Sequence, residues 1–423
     1  MGNASHHTTS LVMRMCEVGS VKGLKCRECG RIYPPVKAYA CEDCFGPLDV
    51  IYDYDSIQLD RNSFSGRPKT LWRYFELLPV QDISKIVDLG AGCTILHKCD
   101  RLAKAIGLKT LYVKDDTVNP TFSFKDRPAT VAVSKALELG AKAVGCASTG
   151  NLAAATAAHA AKAGLPCYVF IPADIELNKI VQAVTYGAKV LAVRGTYDDA
   201  NRLAAQAAET YDWAFVNINI RPYYVEGSKT LAFEVCEQLG WRTPDRVIVP
   251  AASGALLCAI WRGFKEFKGL DLINDLNVKV ICAQPAGCSP IVNAFKSNIT
   301  EVMPIEHPNT IAKSLAIGDP GDGIYAIKAI RESGGVAESV TDAEIIDSIK
   351  LLAKTEGIFT EPAGAVTVAT LKKLVSSGEI AVDEEIVCYV TGNGLKTTEA
   401  VLSYIPKPIE IEPKLEFLAA VTT

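Results

Sequence analysis

Several things are scarce in this sequence, and each absence removes a class of function. No apolar run reaches the length of a membrane span. Residues Met1 to Ser10 are polar and lack the apolar core of a secretory signal, so a cytoplasmic location is expected. Charge of one sign never accumulates into a run, and the net charge is only −4. Neither nucleic acid nor an acidic membrane surface is therefore an expected partner. The chain contains no repeat and no low-complexity segment. What is present is 423 residues, 49% hydrophobic and 22% charged. That composition describes a soluble globular protein with enough core for two or more packed units.

Cysteine is not scarce: there are 14. Most stand singly inside apolar runs, as do Cys146, Cys167, Cys258, Cys282 and Cys388. Buried thiols in a reducing compartment fit this pattern better than disulfides. The exception is Cys26-Arg27-Glu28-Cys29 with Cys41-Glu42-Asp43-Cys44. Two C-x-x-C pairs, separated by a strand-like segment from Arg31 to Ala40, match the four-thiolate geometry of a structural zinc ribbon. Gly30 and Gly46 permit the turn beyond each pair. Four thiolates leave no open position, so a catalytic zinc is not expected. A relic knuckle without metal, or a redox pair, are the competing readings. The surroundings lack the βαβ pattern of a thioredoxin-like site.

Residues 1–20 show no periodicity and read as a disordered tail. Residues 53–65 read as a polar linker. From Leu108 onward, strand-like and helix-like segments alternate. Candidate strands are 110–114, 143–147, 166–171, 189–194, 214–217, 246–250, 279–283 and 386–390. Most are continuous apolar runs, as expected of strands buried on both faces. Candidate helices include 100–106, 129–139, 151–163, 178–186, 197–210, 228–238, 255–267 and 342–356. Thr341 with Glu344 forms a capping box before the last. The alternation predicts an α/β architecture with largely parallel sheets, in two lobes with a cleft between them.

Ligands of such sheets bind beyond the carboxyl ends of the strands, so those ends carry the functional reading. After 110–114 comes Asn119-Pro120-Thr121-Phe122-Ser123-Phe124-Lys125-Asp126-Arg127. A lysine between aromatic residues at a strand-to-helix junction suits Schiff-base chemistry. The plain alternative is a solvated charge, although the helix dipole disfavours a lysine there. After 143–147, Ser148-Thr149-Gly150-Asn151 opens an Ala-rich helix and suits a carboxylate or phosphate, or is simply an N-cap cluster. After 246–250, Ala251-Ala252-Ser253-Gly254-Ala255 lets backbone N–H groups close around a phosphate, without being a Rossmann or Walker loop. After 386–390, Thr391 can bond a ring nitrogen, or it begins an ordinary Asn-Gly turn at Asn393-Gly394. In the loop after 214–217, Arg221 and Lys229 are candidate partners for an anion, or solvated charges. Together these clusters describe a pocket for an anionic aromatic aldehyde, pyridoxal 5′-phosphate.

On these segments, with Glu226-Gly227-Ser228-Lys229-Thr230 through Glu234, Thr310-Ile311-Ala312, Glu356-Gly357-Ile358-Phe359, Glu361-Pro362-Ala363 and Thr391-Gly392-Asn393-Gly394-Leu395-Lys396, the chain resembles the threonine synthase family. This is a family of fold-type II pyridoxal-phosphate enzymes related to tryptophan synthase β and serine/threonine dehydratases. Thr121-Phe122 stands where the family commonly has Thr-Gly. The resemblance implies a small N-terminal zinc-ribbon-like knuckle (21–55), a large cofactor-binding domain (56–130 and 236–423) and a smaller α/β domain (131–235). It implies conversion of O-phospho-L-homoserine and water to L-threonine and phosphate, with Lys125 carrying the cofactor and moving protons. Asn151 would hold the phenolic oxygen, Ser253, Gly254 and Ala255 the cofactor phosphate, and Thr391 the pyridine nitrogen. Ser148 and Thr149 would hold the substrate carboxylate, and Asn219, Arg221 and Lys229 its phosphate. Cys26, Cys29, Cys41 and Cys44 would hold one structural zinc, and related enzymes are often homodimers. The alternatives are a threonine or serine dehydratase, and, from another class, a non-catalytic zinc-ribbon binding protein. The short stretch after Ala400 leaves no room for the regulatory domain of many dehydratases.

Overall fold

The computed structural model describes residues 20–173, 179–415 and 417. Most of the expected N-terminal tail lies outside these. Ser20, assigned to that tail, is instead buried, and its hydroxyl donates to Glu76 O at 2.5 Å.

Three sheets organise the described residues. The first is small and antiparallel, in the order β2-β1-β3, with β1 Val21–Cys26, β2 Ile32–Tyr33 and β3 Leu48–Tyr52. The strand expected from Arg31 to Ala40 is cut to two residues. Pro34 and Pro35 follow β2 and have no N–H to continue a ladder.

The large sheet has six strands: β4 Leu96–Lys98, β5 Thr110–Asp115, β10 Arg246–Pro250, β11 Lys279–Pro285, β12 Ala337–Val340 and β13 Glu385–Val390. Their order is β12-β11-β10-β13-β5-β4, and all pairs are parallel except the edge pair of β4 with β5. Alternate side chains supply opposite faces: Val247, Val280 and Val387 pack into one core cluster, Ile248, Ile281 and Ile386 into another. That is why these strands read as unbroken apolar runs. The third sheet is parallel and four-stranded, in the order β8-β7-β6-β9: β6 Val144–Ala147, β7 Cys167–Pro172, β8 Lys189–Val193 and β9 Ala214–Phe215.

Helices Asp100–Ile106, Asn151–Ala163 and Asp342–Glu356 occupy their expected ranges. At the last, Thr341 N donates to Glu344 Oε2 at 2.7 Å and Glu344 N to Thr341 Oγ1 at 3.3 Å, closing the capping box. The segment 228–238 is instead the end of one helix, Arg221–Ser228, followed by another, Thr230–Gln238. Within the segment 178–186 the structure describes the short helix Val181–Thr185, and residues 174–178 lie outside the described residues.

The sheet order decides where chemistry can gather. β10, β13 and β5 are neighbours, so their carboxyl ends, and the segments bearing Ser253, Thr391 and Lys125, lie side by side.

Candidate active site

Lys125 immediately precedes the helix Asp126–Glu138. The loop before it is held from within. Thr121 N and Oγ1 donate to the Asp126 carboxylate at 2.7 and 2.9 Å. Burial pushes the Asp126 carboxyl up to about 6, against those hydrogen bonds. Phe122, where the family commonly has glycine, has φ +65° and projects outward, half exposed. That backbone region is costly for any residue with a Cβ, which is the physical reason a glycine suits the position.

The Thr391 segment is stitched to the lysine loop. Phe124 N donates to Thr391 O at 2.8 Å, and Asn393 N to Phe122 O at 3.0 Å. Behind the loop, Arg127 is fully buried. Its Nε lies 2.6 Å from Asp116 Oδ2 and its Nη2 2.8 Å from Glu234 Oε2. Lys114 Nζ, also fully buried, lies 2.7 Å from the same Glu234 oxygen. Burial alone would raise the Glu234 carboxyl, but Arg127 and then Lys114 hold it at about 2. This network pins the start of the lysine helix to β5 and to the helix Thr230–Gln238.

Among the described residues, the Lys125 amine meets no carboxylate at hydrogen-bonding distance. Its Nζ lies 2.9 Å from the Tyr224 hydroxyl, 4.6 Å from the centre of the Phe124 ring and 5.5 Å from that of Tyr224. Across the cleft, Asn151 begins its helix directly after β6, Ser148 and Thr149. Its Nδ2 donates to both oxygens of Glu361, at 3.0 and 3.1 Å. Glu361 is buried, and burial raises its carboxyl, opposed by Asn151, Lys396 and Lys125. Lys396 Nζ donates to Thr121 O at 2.7 Å, and burial lowers its ammonium against Glu361 and Asp126.

Ser253-Gly254-Ala255 opens the helix Ala255–Gly269. Gly254 has φ +93°, and a Cβ there would stand 2.9 Å from Asp322 O, so only glycine fits. Asp322 N in turn donates to Ser253 O at 2.9 Å. A glycine cradle at a helix N-terminus, a reactive amine, an amide and a hydroxyl form the donor set for a phosphate, an aldehyde, a phenolic oxygen and a ring nitrogen. The residues present therefore fit pyridoxal phosphate.

The expected clamp for a substrate phosphate needs correction. Lys229 is fully buried, with Nζ 2.7 Å from Glu226 Oε2 and 2.9 Å from Glu266 Oε2. Asn219 closes its own turn: its Oδ1 accepts from Phe215 N at 2.8 Å and its Nδ2 donates to Trp213 O at 2.9 Å. Both side chains are consumed inside the chain. Arg221 pairs with Asp322 and keeps 22% of its side chain exposed. Sequence reasoning missed Tyr224, Glu361 as an Asn151 partner, and Lys396. Glu361 and Lys396 lie within segments that carry the family resemblance, so position rather than charge was the available signal, whereas Tyr224 lies two residues before the Glu226–Glu234 segment.

The four knuckle sulfurs, of Cys26, Cys29, Cys41 and Cys44, lie within 4.8 Å of one another, with Cys26–Cys44 and Cys29–Cys41 at 3.5 Å. Tetrahedral Zn–S bonds of about 2.3 Å put sulfurs about 3.8 Å apart, so the cluster fits one zinc ion. The Tyr33 hydroxyl donates to Cys41 Sγ at 3.1 Å and holds that thiol down at about 6. An ionic seam joins the knuckle to the body. Arg27 meets Asp49 at 2.6 Å and Asp322 at 3.1 Å, Arg262 meets Asp49 at 3.3 Å and also Glu226, and Tyr52 Oη donates to Glu226 at 2.6 Å.

Comparison with known proteins agrees with this geometry. Residues 87–392 match the model of the pyridoxal-phosphate dependent enzyme family. Threonine synthase of Methanocaldococcus jannaschii is 46% identical over 93% of this chain and 98% of its own length. That of Halalkalibacterium halodurans is 41% identical over 79% and 91%. Among solved structures, the processed form of threonine deaminase isoform 2 from Solanum lycopersicum superposes with TM-score 0.62 at 21% identity, covering 73% of this chain and 82% of that one. Diaminopropionate ammonia lyase from Escherichia coli does so with TM-score 0.62 at 20% identity, covering 81% and 95%. The two structures share the fold. The chain belongs to the fold-type II pyridoxal-phosphate-dependent enzymes and, within them, to the threonine synthase family of lyases.

Proposed function

We propose that this enzyme converts O-phospho-L-homoserine and water to L-threonine and inorganic phosphate. The observation that carries the reading is the convergence of Lys125, Thr391 and Ser253–Ala255 at neighbouring strand ends, faced by Asn151, in a chain so similar to threonine synthases along its length.

When bound, pyridoxal phosphate supplies an electron sink that makes protons on the substrate carbons labile and lets phosphate leave the γ-carbon. This chain's residues do the rest. Lys125 carries the cofactor and, once freed, moves protons between the carbons. A proton delivered to the γ-carbon makes the methyl group, and water adds its hydroxyl at the β-carbon. Ser148 and Thr149, at the start of the Asn151 helix, seat the substrate carboxylate. Asn151 orients the phenolic oxygen of the cofactor, and its bonds to Glu361 fix its own orientation. The Ser253–Ala255 amides hold the cofactor phosphate, and Thr391 faces the ring nitrogen. Arg221 is the residue retained for the substrate phosphate, on account of its exposure.

The knuckle holds one structural zinc, to be read by metal analysis as about one ion per chain. No helix of the described residues is long and apolar enough to cross a membrane. By the family resemblance alone, we assign the enzyme to the cytoplasm as a homodimer. Sedimentation tests the dimer. The function is tested by incubating holoenzyme with O-phosphohomoserine. Threonine and phosphate appear in equal amounts if the reading is right. Ketoacid release from threonine, without phosphate release from phosphohomoserine, overturns it in favour of a dehydratase.

A further inference from the structure

Among the described residues, the one hydrogen-bond partner of the Lys125 amine is the Tyr224 hydroxyl, at 2.9 Å. Tyr224 is only 8% exposed, so the contact is made out of bulk water. Its geometry is imposed by the backbone. Tyr224 sits in the helix Arg221–Ser228, which packs directly on the lysine helix. At Gly227 a Cβ would stand 2.3 Å from Arg127 O, so this glycine lets the two backbones close to contact. The tyrosine helix is also clamped along its length. Arg221 pairs with Asp322, the Tyr223 hydroxyl donates to Val36 O at 2.9 Å, and Glu226 joins Tyr52, Lys229 and Arg262.

A phenol is an unusual sole partner for a lysine, and its chemistry explains the choice. A carboxylate would favour the ammonium form and hold the amine as an ion pair. A phenol both accepts from an ammonium and donates to a neutral amine, so the contact survives proton loss and gain. A group that must carry protons needs such a seat.

We propose that Tyr224 is a positioning residue for Lys125: its hydroxyl docks the freed amine between proton transfers and keeps it aimed at the substrate carbons. This rests on the synthase reading for its substrate, but not for the contact itself.

The test compares wild-type holoenzyme with Tyr224→Phe, which keeps the ring and removes only the hydroxyl. Tyr223→Phe, which loses the neighbouring hydroxyl on the same helix, is the control. Phosphate release from O-phosphohomoserine is followed across pH. In apoenzyme, the rate at which the visible cofactor band forms on adding pyridoxal phosphate is followed across pH as well. The expected result for Tyr224→Phe is a kcat lower by about tenfold or more, KM changed little, and pH midpoints displaced in both measurements. Tyr223→Phe should displace neither midpoint. Unchanged kcat and midpoints in Tyr224→Phe, or equal displacement in both variants, overturns the proposal. If wild type forms the band but releases no phosphate, the synthase reading fails, and the displaced midpoint of band formation still judges Tyr224. Should Tyr224→Phe not fold, Tyr224→His supplies a hydrogen-bonding side chain in its place. A pH profile for Tyr224→His identical to wild type, in both rate and band formation, would then count against a role for the phenol.

Discussion

In the seam between the knuckle and the large sheet, buried and half-buried cations meet carboxylates: Lys229 with Glu226 and Glu266, Arg262 with Glu226 and Asp49, Arg27 with Asp49 and Asp322. In the cleft, Lys125 meets a phenol and the faces of two rings. Both regions are rich in charge, and the difference lies in how it is matched. Matched groups in the seam weld elements distant in sequence, and their removal strands a partner in low dielectric. The amine in the cleft has no carboxylate at hydrogen-bonding distance among the described residues, and Glu361 acts on it only through space, which leaves it free to react.

The largest effects are expected from two lysine variants with opposite outcomes. Lys125→Ala should cut turnover by about a thousandfold or more and abolish the visible cofactor band, while thermal unfolding stays near wild type. Lys229→Met should do the reverse. Removing the ammonium shared by Glu226 and Glu266 leaves them only Arg262, Tyr52 and Tyr54 and costs about 3 kcal/mol in urea unfolding, with kcat of the folded fraction nearly unchanged. A large rise in KM for phosphohomoserine in Lys229→Met would return that lysine to the substrate site.

Acid sharpens the same contrast through two carboxyl groups of opposite sign. Glu234, held at about 2 by its cations, lies below its unfolded value. Its contribution is present at neutral pH and is lost as pH falls from about 5 toward 2, amounting to about 3 kcal/mol. Asp126, raised to about 6 by burial, binds its proton more tightly folded than unfolded. It contributes below about pH 4, and that contribution is lost as pH rises through 6, again about 3 kcal/mol. Stability measured against pH should therefore lose its steep acid limb in Glu234→Gln and its decline between about pH 4 and 6 in Asp126→Asn.

The smallest effect is local. Thr341→Ala removes the hydroxyl that accepts from Glu344 N and donates to Glu344 Oε2 at the exposed start of Asp342–Glu356, and should cost about 1 kcal/mol with no effect on turnover.

What could be read from the residues follows the same division. Parallel strands such as Arg246–Pro250 are legible because both faces are buried and the residues after Arg246 are all apolar. β4, Leu-His-Lys, and β12, Ala-Glu-Ser-Val, did not, because short polar strands pair through backbone alone. Lys125 stood out by its junction and Gly254 by its loop. The pairing of Lys229 was not legible because a sequence displays a charge but not its partner, and Glu266 reaches it only through tertiary packing. Tyr224 went unremarked because a tyrosine on a helix is ordinarily core, and nothing local says that its hydroxyl meets an amine from another element. The Arg31–Ala40 segment was over-read because its apolar content outweighed its two prolines.

The amine that faces a phenol, with no carboxylate at hydrogen-bonding distance among the described residues, is the one expected to carry the cofactor. The direct measurement is borohydride reduction of the holoenzyme, which fixes the cofactor to its amine, followed by peptide mapping. The label is predicted on the peptide containing Lys125. A label on Lys114, Lys229 or Lys396, whose amines bond carboxylate or carbonyl oxygens, would contradict it.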